Sequence, residues 1–285
     1  MLADLGLFYC ALFWGLSFPV MKILVSVYPT CWLLFVRFLA GALMIYVVFH
    51  KRINKSIRND FKGGVIIGVL LFLAATTQTL GLNYIDSGRN AFITSIYVIL
   101  VPLFLWVIKR KFPGWFTLAA AVICVAGMYL LAGDNLSGKI NIGDVLTMLC
   151  AVFFAVQIIA ISHYTQGSDP LTLSCVEFFT LAVLSFISSL IFETRTEIIN
   201  VPTLWGLLFM IFFCTFGCYA VQICAQKYAE PSHATIIMSL EAVFGLASGI
   251  IFLGEKISFK AGVGCALIFI AVLISELAPL IRKKK

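Results

Sequence analysis

The stretch QTLGLNYIDSGRNAFITS, residues 78–95, recurs in outline as QICAQKYAEPSHATIIMS, residues 222–239. At a shift of 144 residues, four polar or aromatic positions coincide, and they pair Gln78 with Gln222, Tyr84 with Tyr228, Asp86 with Glu230, and Ser95 with Ser239. Earlier in each copy, Ala11–Phe13 resembles Ala151–Phe153 at a shift of 140. Polar matches in register are informative because leucine, phenylalanine and alanine recur by chance in an apolar chain. The pattern predicts an internal duplication.

Apolar runs dominate the rest of the chain. Hydrophobic residues make up 62% and charged residues 12% of the sequence, and the mean hydropathy is +1.06. Soluble domains average about 45–50% apolar and about 25% charged residues. A helix crosses the hydrocarbon core of a bilayer with roughly 20 apolar residues. The runs therefore predict an all-α membrane protein with ten transmembrane helices, at 5–25, 30–49, 64–83, 90–108, 115–132, 144–162, 170–192, 204–225, 234–253 and 261–280.

The duplication divides these predicted spans into two halves of five helices, residues 1–135 and residues 136–285. Because five is an odd number, the second half must enter the membrane from the opposite side. The sequence thus predicts two inverted repeats. In transporters with this symmetry the substrate site lies near the middle of the membrane, between the repeats.

The basic residues account for a formal net charge of +7, but they form short blocks beside apolar runs and no continuous stripe. This distribution argues against a nucleic-acid partner. If the N-terminus is cytoplasmic, most lysines and arginines fall on the cytoplasmic side, at Lys51, Arg52, Lys55, Arg58, Lys62, Lys109, Arg110, Lys111, Lys227 and residues 282–285. The other side receives only Arg89, Lys139, Arg195, Lys256 and Lys260. The positive-inside rule then predicts that both termini are cytoplasmic.

The nine cysteines all lie inside apolar runs, without a CxxC motif or a Cys/His ligand spacing. We expect buried thiols that pack as small hydrophobic groups. The sequence predicts no disulfide framework, no metal site and no cofactor.

Charged side chains inside the predicted spans can be structural or functional. A polar group that faces lipid costs several kcal/mol, so such groups should face protein or a wet cavity. Arg37 and Glu177 are candidates for a gating or coupling role, and whether they interact is open. Glu241, whose repeat partner is Tyr97, is a candidate for binding a cation or a proton. Lys22, near the end of its span, is expected to extend to the lipid headgroups.

Several motifs together resemble the EamA branch of the drug/metabolite transporter superfamily. They are ALFWGLSFP at 11–19, the buried Arg37, NAFIT at 90–94, Leu240 with Glu241, and LGEK at 253–256. The resemblance covers nearly the whole chain. It implies ten helices, alternating access and the export of metabolites such as amino acids. It also implies a central cavity lined by spans one, three, four, six, eight and nine, with spans five and ten peripheral and available for a homodimer.

Two positions depart from the family pattern. Ala242 follows the glutamate where the family often has proline, which predicts a less kinked ninth span. The fourth span ends with Lys109, Arg110 and Lys111, whereas the ninth span, its equivalent in the second half, ends with the LGE sequence.

We therefore expect a secondary active transporter in the cytoplasmic membrane of a bacterium or archaeon, with a small metabolite and protons as partners. The predicted substrate-binding residues are Trp14, Gln78, Asn90, Thr94, Tyr97, Gln157, Tyr219, Gln222, Ser239 and Glu241. The predicted coupling or gating residues are Arg37, Glu177 and Glu241.

One alternative is a carrier of lipid-linked sugars or nucleotide sugars, which would favour several cations in the cavity. An intramembrane enzyme or a receptor is an alternative of a different class, but three scattered histidines provide no catalytic cluster and no Walker motif is present.

Overall fold

The computed structural model describes residues 2–132, 140–194, 201–253 and 259–282. Within these ranges the regular elements are all helical. They are α1 (Leu2–Val25), α2 (Thr30–Gly81), α3 (Ser87–Thr94), α4 (Tyr97–Lys109), α5 (Trp115–Ala132), α6 (Ile142–Tyr164), α7 (Pro170–Phe192), α8 (Val201–Phe209), a π-helical segment (Met210–Tyr219), α9 (Ala220–Gln226), α10 (Pro231–Met238), α11 (Glu241–Leu253) and α12 (Phe259–Arg282). The predicted topological charges at Lys139, Arg195, Lys256 and residues 283–285 lie outside the described residues.

Several helices are long and apolar enough to cross a membrane. Among the described residues six stretches meet this criterion, and they are Leu2–Val25, Thr30–Gly81, Ser87–Lys109, Ile142–Tyr164, Pro170–Phe192 and Thr203–Gln226. Two shorter apolar stretches, Trp115–Leu130 and Phe259–Ser275, lie in α5 and α12. The chain is therefore all-α in its described part, as predicted, with helices of membrane-spanning length.

The first limb of α2 runs antiparallel to α7. The limb begins where α7 ends, because the backbone N–H groups of Cys31 and Trp32 donate to the Glu193 carboxylate at 2.6 and 3.0 Å. Farther along, Gly41 packs against Phe178, nearer the start of α7. The limb ends at Phe49, whose φ of −119° and ψ of 18° are not helical.

The second limb of α2 runs parallel to α7. Its Ser56 hydroxyl lies 2.6 Å from the Thr172 hydroxyl, at the start of α7. A Cβ added at Gly68 would lie 2.8 Å from the Glu177 carbonyl oxygen, farther along α7. The predicted spans 30–49 and 64–83 thus belong to one helical stretch whose two limbs point in opposite directions.

Two helices are interrupted at positions that are 144 residues apart. The first interruption, Ser95 and Ile96, separates α3 from α4, and the second, Ser239 and Leu240, separates α10 from α11. At each break the serine amide donates to a carbonyl four residues earlier, at 3.0 Å in both cases. The register found in the sequence therefore coincides with a repeated local structure.

Lys22, which is predicted to extend to the lipid headgroups, has protein partners at the end of its helix. The Lys22 ammonium donates instead to the carbonyl oxygens of Leu82 and of Ile85, the latter at 2.9 Å. Carbonyl groups at the end of a helix lack intrahelical donors and attract a cation. Lys22 therefore fastens the end of α1 to the end of α2.

Candidate functional site

A cavity lies between helices of the two sequence halves, and its empty space together with its opening to solvent is about 750 Å³. The polar and aromatic side chains with a hydrogen-bonding group that line it are Trp14, Ser17, Arg37, Gln78, Thr79, Thr94, Tyr97, Tyr219, Gln222 and Glu241. The remaining lining side chains are apolar, and they are Phe18, Met21, Leu34, Phe38, Ala75, Leu82, Phe154, Ile158, Met210 and Met238. A mostly apolar wall with a few converging polar groups is typical of a small-molecule site.

Glu241 is the first residue of α11, directly after the helix break, and its side chain is 5% exposed. The hydroxyls of Ser95 and Tyr97 donate to its Oε1 at 3.4 and 3.5 Å. These distances are long for hydrogen bonds between oxygen atoms, which are usually 2.5–3.0 Å. Within the described ranges no cationic side chain pairs with this carboxylate. Glu241 is therefore available for a partner that enters the cavity.

Arg37 is buried in the wall of the same cavity without a carboxylate partner in the part of the chain that the structure describes. Its Nη2 donates to the Thr215 hydroxyl at 3.2 Å, and its Nη1 lies 3.3 Å from the Met21 sulfur. The guanidinium also lies 5.6 Å from the centre of the Phe38 ring, within the range of a cation–π interaction. These contacts hold the guanidinium in place but leave its charge unneutralised.

Thr215→Val is expected to destabilise the protein through Arg37. The valine keeps the shape of the side chain but removes the acceptor of Arg37 Nη2, and a buried donor left unsatisfied costs about 1–3 kcal/mol. The measurement is thermal unfolding of the purified protein in detergent. Thr77→Val is the matched control, because the Thr77 hydroxyl donates only to carbonyls of its own helix, those of Leu73 and Ala74. Equal stability of the two variants would contradict the prediction.

Glu177 is fully buried outside the cavity wall. Its Oε1 accepts a hydrogen bond from Gln157 Nε2 at 2.9 Å, and its Oε2 has no hydrogen-bond partner. Among the described residues it forms no ion pair, so Arg37 and Glu177 are not paired here. Glu177 and Gln157 instead join α7 to α6.

Polar contacts organise the wall around the two charges. Gln78 Nε2 donates to the Thr94 hydroxyl at 3.2 Å, which ties the second limb of α2 to the end of α3. Trp14 Nε1 donates to the carbonyl oxygen of Cys214 at 3.2 Å, and its ring lies 5.0 Å from that of Tyr219. α1 and the π-helical segment are thereby held together on the opposite wall.

Three predicted substrate-binding residues do not line the cavity. Gln157 bonds to Glu177, as described above. Asn90 is fully buried, and its Nδ2 donates to the carbonyl oxygen of Gln78 at 3.1 Å and to the Thr147 hydroxyl at 2.9 Å. The Ser239 hydroxyl donates to the carbonyl oxygen of Ile236 at 2.5 Å and accepts from the Cys124 thiol at 3.0 Å. These side chains connect helices behind the cavity.

Sequence reasoning did not select the methionines and aliphatic residues of the wall. Met21, Met210 and Met238 lie on three different elements, and all three line the cavity. No spacing in an apolar span distinguishes a cavity methionine from one that faces lipid.

A second cavity, of about 890 Å³, lies beside the start of α1 and the bend of α2. Its wall includes Ile45, Phe49, Phe216 and Val221, and none of the described residues that line it is charged. It offers almost nothing that would recognise a polar solute. The candidate site is therefore the smaller central cavity.

No group of three or more His, Cys, Asp or Glu side chains in the described ranges is placed to hold a metal ion. All nine cysteines carry free thiols, and seven of them are buried.

Comparison with known proteins decides which family this architecture represents. The model of the EamA-like transporter family matches residues 1–133 and residues 141–277. The chain belongs to this family. The resemblance seen in the sequence is thus confirmed, and this EamA-like protein is an integral multi-pass membrane protein and a transporter. The family assignment also confirms that it is not an enzyme.

Relatives of this EamA-like protein are named as transporters. An uncharacterized transporter of Archaeoglobus fulgidus is 36% identical over 96% of this chain and 86% of its own length. The uncharacterized inner membrane transporter YedA of Escherichia coli K12 is 25% identical over 95% of this chain and 90% of its own length. One crystal structure superimposes with a TM-score of 0.83 at 15% identity, covering 99% of this chain and 98% of the other. At that identity the likeness concerns the fold alone.

Proposed function

We propose that this EamA-like protein is a secondary active transporter that exports small metabolites such as amino acids by alternating access. The observation that carries the proposal is the central cavity, which both sequence halves line and which contains one unpaired carboxylate, Glu241, and one unneutralised guanidinium, Arg37. Neutral polar and aromatic side chains surround the two charges. Such a wall suits a solute with charged groups of both signs and an apolar part.

We propose further that the chain forms ten spans in two inverted halves, residues 1–135 and 136–285. Three observations support this arrangement. The helix breaks at Ser95 and Ser239 are 144 residues apart, the family model matches each half separately, and the two limbs of α2 point in opposite directions. The distribution of lysines and arginines supports cytoplasmic termini in a bacterial or archaeal membrane. A homodimer through the peripheral fifth and tenth spans remains a prediction.

Within the cavity we assign direct substrate contact to the predicted residues that line it, which are Trp14, Gln78, Thr94, Tyr97, Tyr219, Gln222 and Glu241. Gln222 is a strong candidate, because its buried Oε1 has no hydrogen-bond partner among the residues that the structure describes and a donor on the substrate would supply one. Asn90, Gln157 and Ser239 keep a supporting role. Glu241 is the proposed site of proton coupling, and Arg37 is a proposed partner for a substrate carboxylate.

The sugar-carrier alternative gains no support from the cavity. A diphosphate group is recognised by several cations or by bidentate arginines. Arg37 is the one lysine or arginine among the lining residues in the described ranges. The amino-acid class therefore remains the proposal.

Counterflow in proteoliposomes tests the proposed function. Vesicles with the purified protein are loaded with an unlabelled mixture of amino acids, and the same mixture is added outside in labelled form. We expect labelled uptake that exceeds uptake by protein-free vesicles and that saturates with concentration. Uptake equal to that of protein-free vesicles for every amino acid would overturn the proposed cargo.

A further inference from the structure

Two carboxylate contacts, one with an arginine and one with a histidine, occupy repeat-equivalent positions on opposite sides of the molecule. Arg89, at the start of α3, pairs with Asp144, at the start of α6. His233, in α10, pairs with Asp4, at the start of α1. Residue 233 is residue 89 shifted by 144, and residue 144 is residue 4 shifted by 140, which are the two shifts already found in the sequence. The duplication therefore relates one pair to the other.

Each pair connects the two sequence halves in the same way. Asp4 and Asp144 lie on the first helix of each half, and Arg89 and His233 lie at the beginning of the interrupted helix of the other half. Both pairs thus span the boundary across which the halves would move relative to each other.

The two pairs lie at opposite ends of α1. Asp4 is at the beginning of that helix, whereas Lys22, near its end, donates to the carbonyl oxygens of Leu82 and Ile85 just before Arg89. The distance along α1 from residue 4 to residue 22 is roughly 27 Å at about 1.5 Å per residue. This approaches the thickness of the hydrocarbon core, so the pairs lie near opposite membrane faces.

We propose that Arg89–Asp144 and His233–Asp4 are repeat-related gating pairs, one for each face of the transporter. The inference rests on the proposed alternating access. When two halves rock about a central site, the helix ends separate at one face while they remain together at the other. A pair that joins the halves at a face must break when that face opens. Each pair therefore favours the state that is closed on its own side.

The pairs differ in strength. Arg89 donates twice to the Asp144 carboxylate, from Nε at 2.6 Å and from Nη2 at 2.8 Å, and the two side chains are 12% and 9% exposed. Asp144 also accepts from the backbone N–H of Asn141 at 2.8 Å, in the capping box of α6. Bidentate, charge-assisted and buried contacts of this kind are the strong ones.

The His233–Asp4 pair is the weaker of the two. His233 Nε2 lies 3.2 Å from Asp4 Oδ1, and the side chains are 17% and 30% exposed. The other ring nitrogen, Nδ1, lies 3.0 Å from the Ser275 hydroxyl of α12, which fixes the ring orientation. The resting protein should therefore favour the state that is closed at Arg89 and open at the face where α1 begins. In the proposed topology that face is the cytoplasm, from which an exporter takes its cargo.

Hydrogen–deuterium exchange of the purified protein in lipid nanodiscs tests the gating pairs without a substrate. Arg89→Gln should increase exchange in residues 82–90 and 140–146 by about tenfold, the effect of losing a charge-assisted hydrogen bond on a local opening equilibrium. It should decrease exchange in residues 226–234 and 2–8 at the other face. His233→Gln should produce the opposite pattern. His233→Arg places an arginine opposite Asp4, as at the repeat-equivalent Arg89, and it should lower exchange in residues 226–234 and 2–8.

Arg52→Gln is the matched control. Arg52 also pairs across the halves, with Asp169, but its side chain is 57% exposed. Exposed pairs contribute little, so this variant should change exchange by less than about twofold at either face. If Arg89→Gln does not fold, Arg89→Lys and His233→Arg together give the same comparison, because they weaken one pair and strengthen the other.

The proposal requires that each variant change exchange in opposite directions at the two faces. Variants that increase exchange at both faces, or only around the substituted residue, would show a purely structural role and overturn the proposal. The outcome is separable from the transport test. Counterflow without reciprocal exchange would overturn the gating pairs alone, whereas reciprocal exchange without amino-acid counterflow would support the pairs and overturn the proposed cargo.

Discussion

Glu241→Gln is expected to reduce amino-acid transport driven by a pH gradient by roughly 10- to 100-fold, the range that corresponds to one charge-assisted hydrogen bond. Glutamine has nearly the same shape and can still accept hydrogen bonds from Ser95 and Tyr97. It cannot take up and release a proton. The substitution therefore removes the proposed coupling site while the wall of the cavity remains intact. The measurement is the initial rate of labelled uptake into proteoliposomes with an imposed pH gradient.

Counterflow in the absence of a gradient separates coupling from binding. Exchange of one substrate molecule for another needs no net proton movement, so counterflow by Glu241→Gln should fall much less than gradient-driven transport, and the fall that remains measures the direct substrate contact also assigned to Glu241. Glu230→Gln is the matched control, because Glu230 is exposed and lies just before α10, away from the cavity. A Glu241→Gln protein that still responds to the gradient would contradict the proposed role.

Gly68→Ala is expected to destabilise the protein by about 1–3 kcal/mol, the usual range for overpacking a tight contact. A Cβ at position 68 would lie 2.7 Å from Thr180 Cβ, 2.8 Å from the Glu177 carbonyl oxygen and 3.1 Å from Glu177 Cα. Two of these atoms belong to the backbone and cannot rotate away. The added methyl group would therefore force the second limb of α2 and α7 apart. Small residues at a helix interface normally let the two backbones approach closely.

Thermal unfolding in detergent measures this effect, and the expected decrease in Tm is about 3–10 °C. Gly262→Ala provides the comparison, because a Cβ at position 262 in α12 would meet no atom within 4 Å. Its Tm should change by less than about 2 °C. A Gly68→Ala protein as stable as Gly262→Ala would mean that the contact between α2 and α7 is looser than the structure describes.

The helical class and the repeated helix breaks could be predicted because both depend on local sequence. Apolar length alone predicts helices in a bilayer, where backbone groups must bond within their own segment. The serines at 95 and 239 stand at the two breaks, so the register found in the sequence marks a repeated local structure. Family membership could also be predicted, since it rests on the order of short motifs along the whole chain.

The direction in which a polar side chain points could not be predicted. Gln78 and Asn90 lie in the same quoted stretch, yet Gln78 lines the cavity and Asn90 bonds to Thr147 on α6. Hydropathy indicates how deep a residue lies in the membrane but not which residues surround it. Any helix of a bundle can supply the hydrogen-bond partners of a buried side-chain amide. Lys22 shows the same limit, because the helix end that its ammonium contacts is about 60 residues away along the chain.

The contact between Tyr97 and Glu241 bears on the symmetry of the protein. These two residues are repeat partners, and their side chains meet at 3.5 Å. Equivalent positions related by a twofold axis can touch only where that axis passes. Two glutamates at these positions would repel each other. A tyrosine opposite Glu241 instead places a single acidic group here, with a hydroxyl that donates to it.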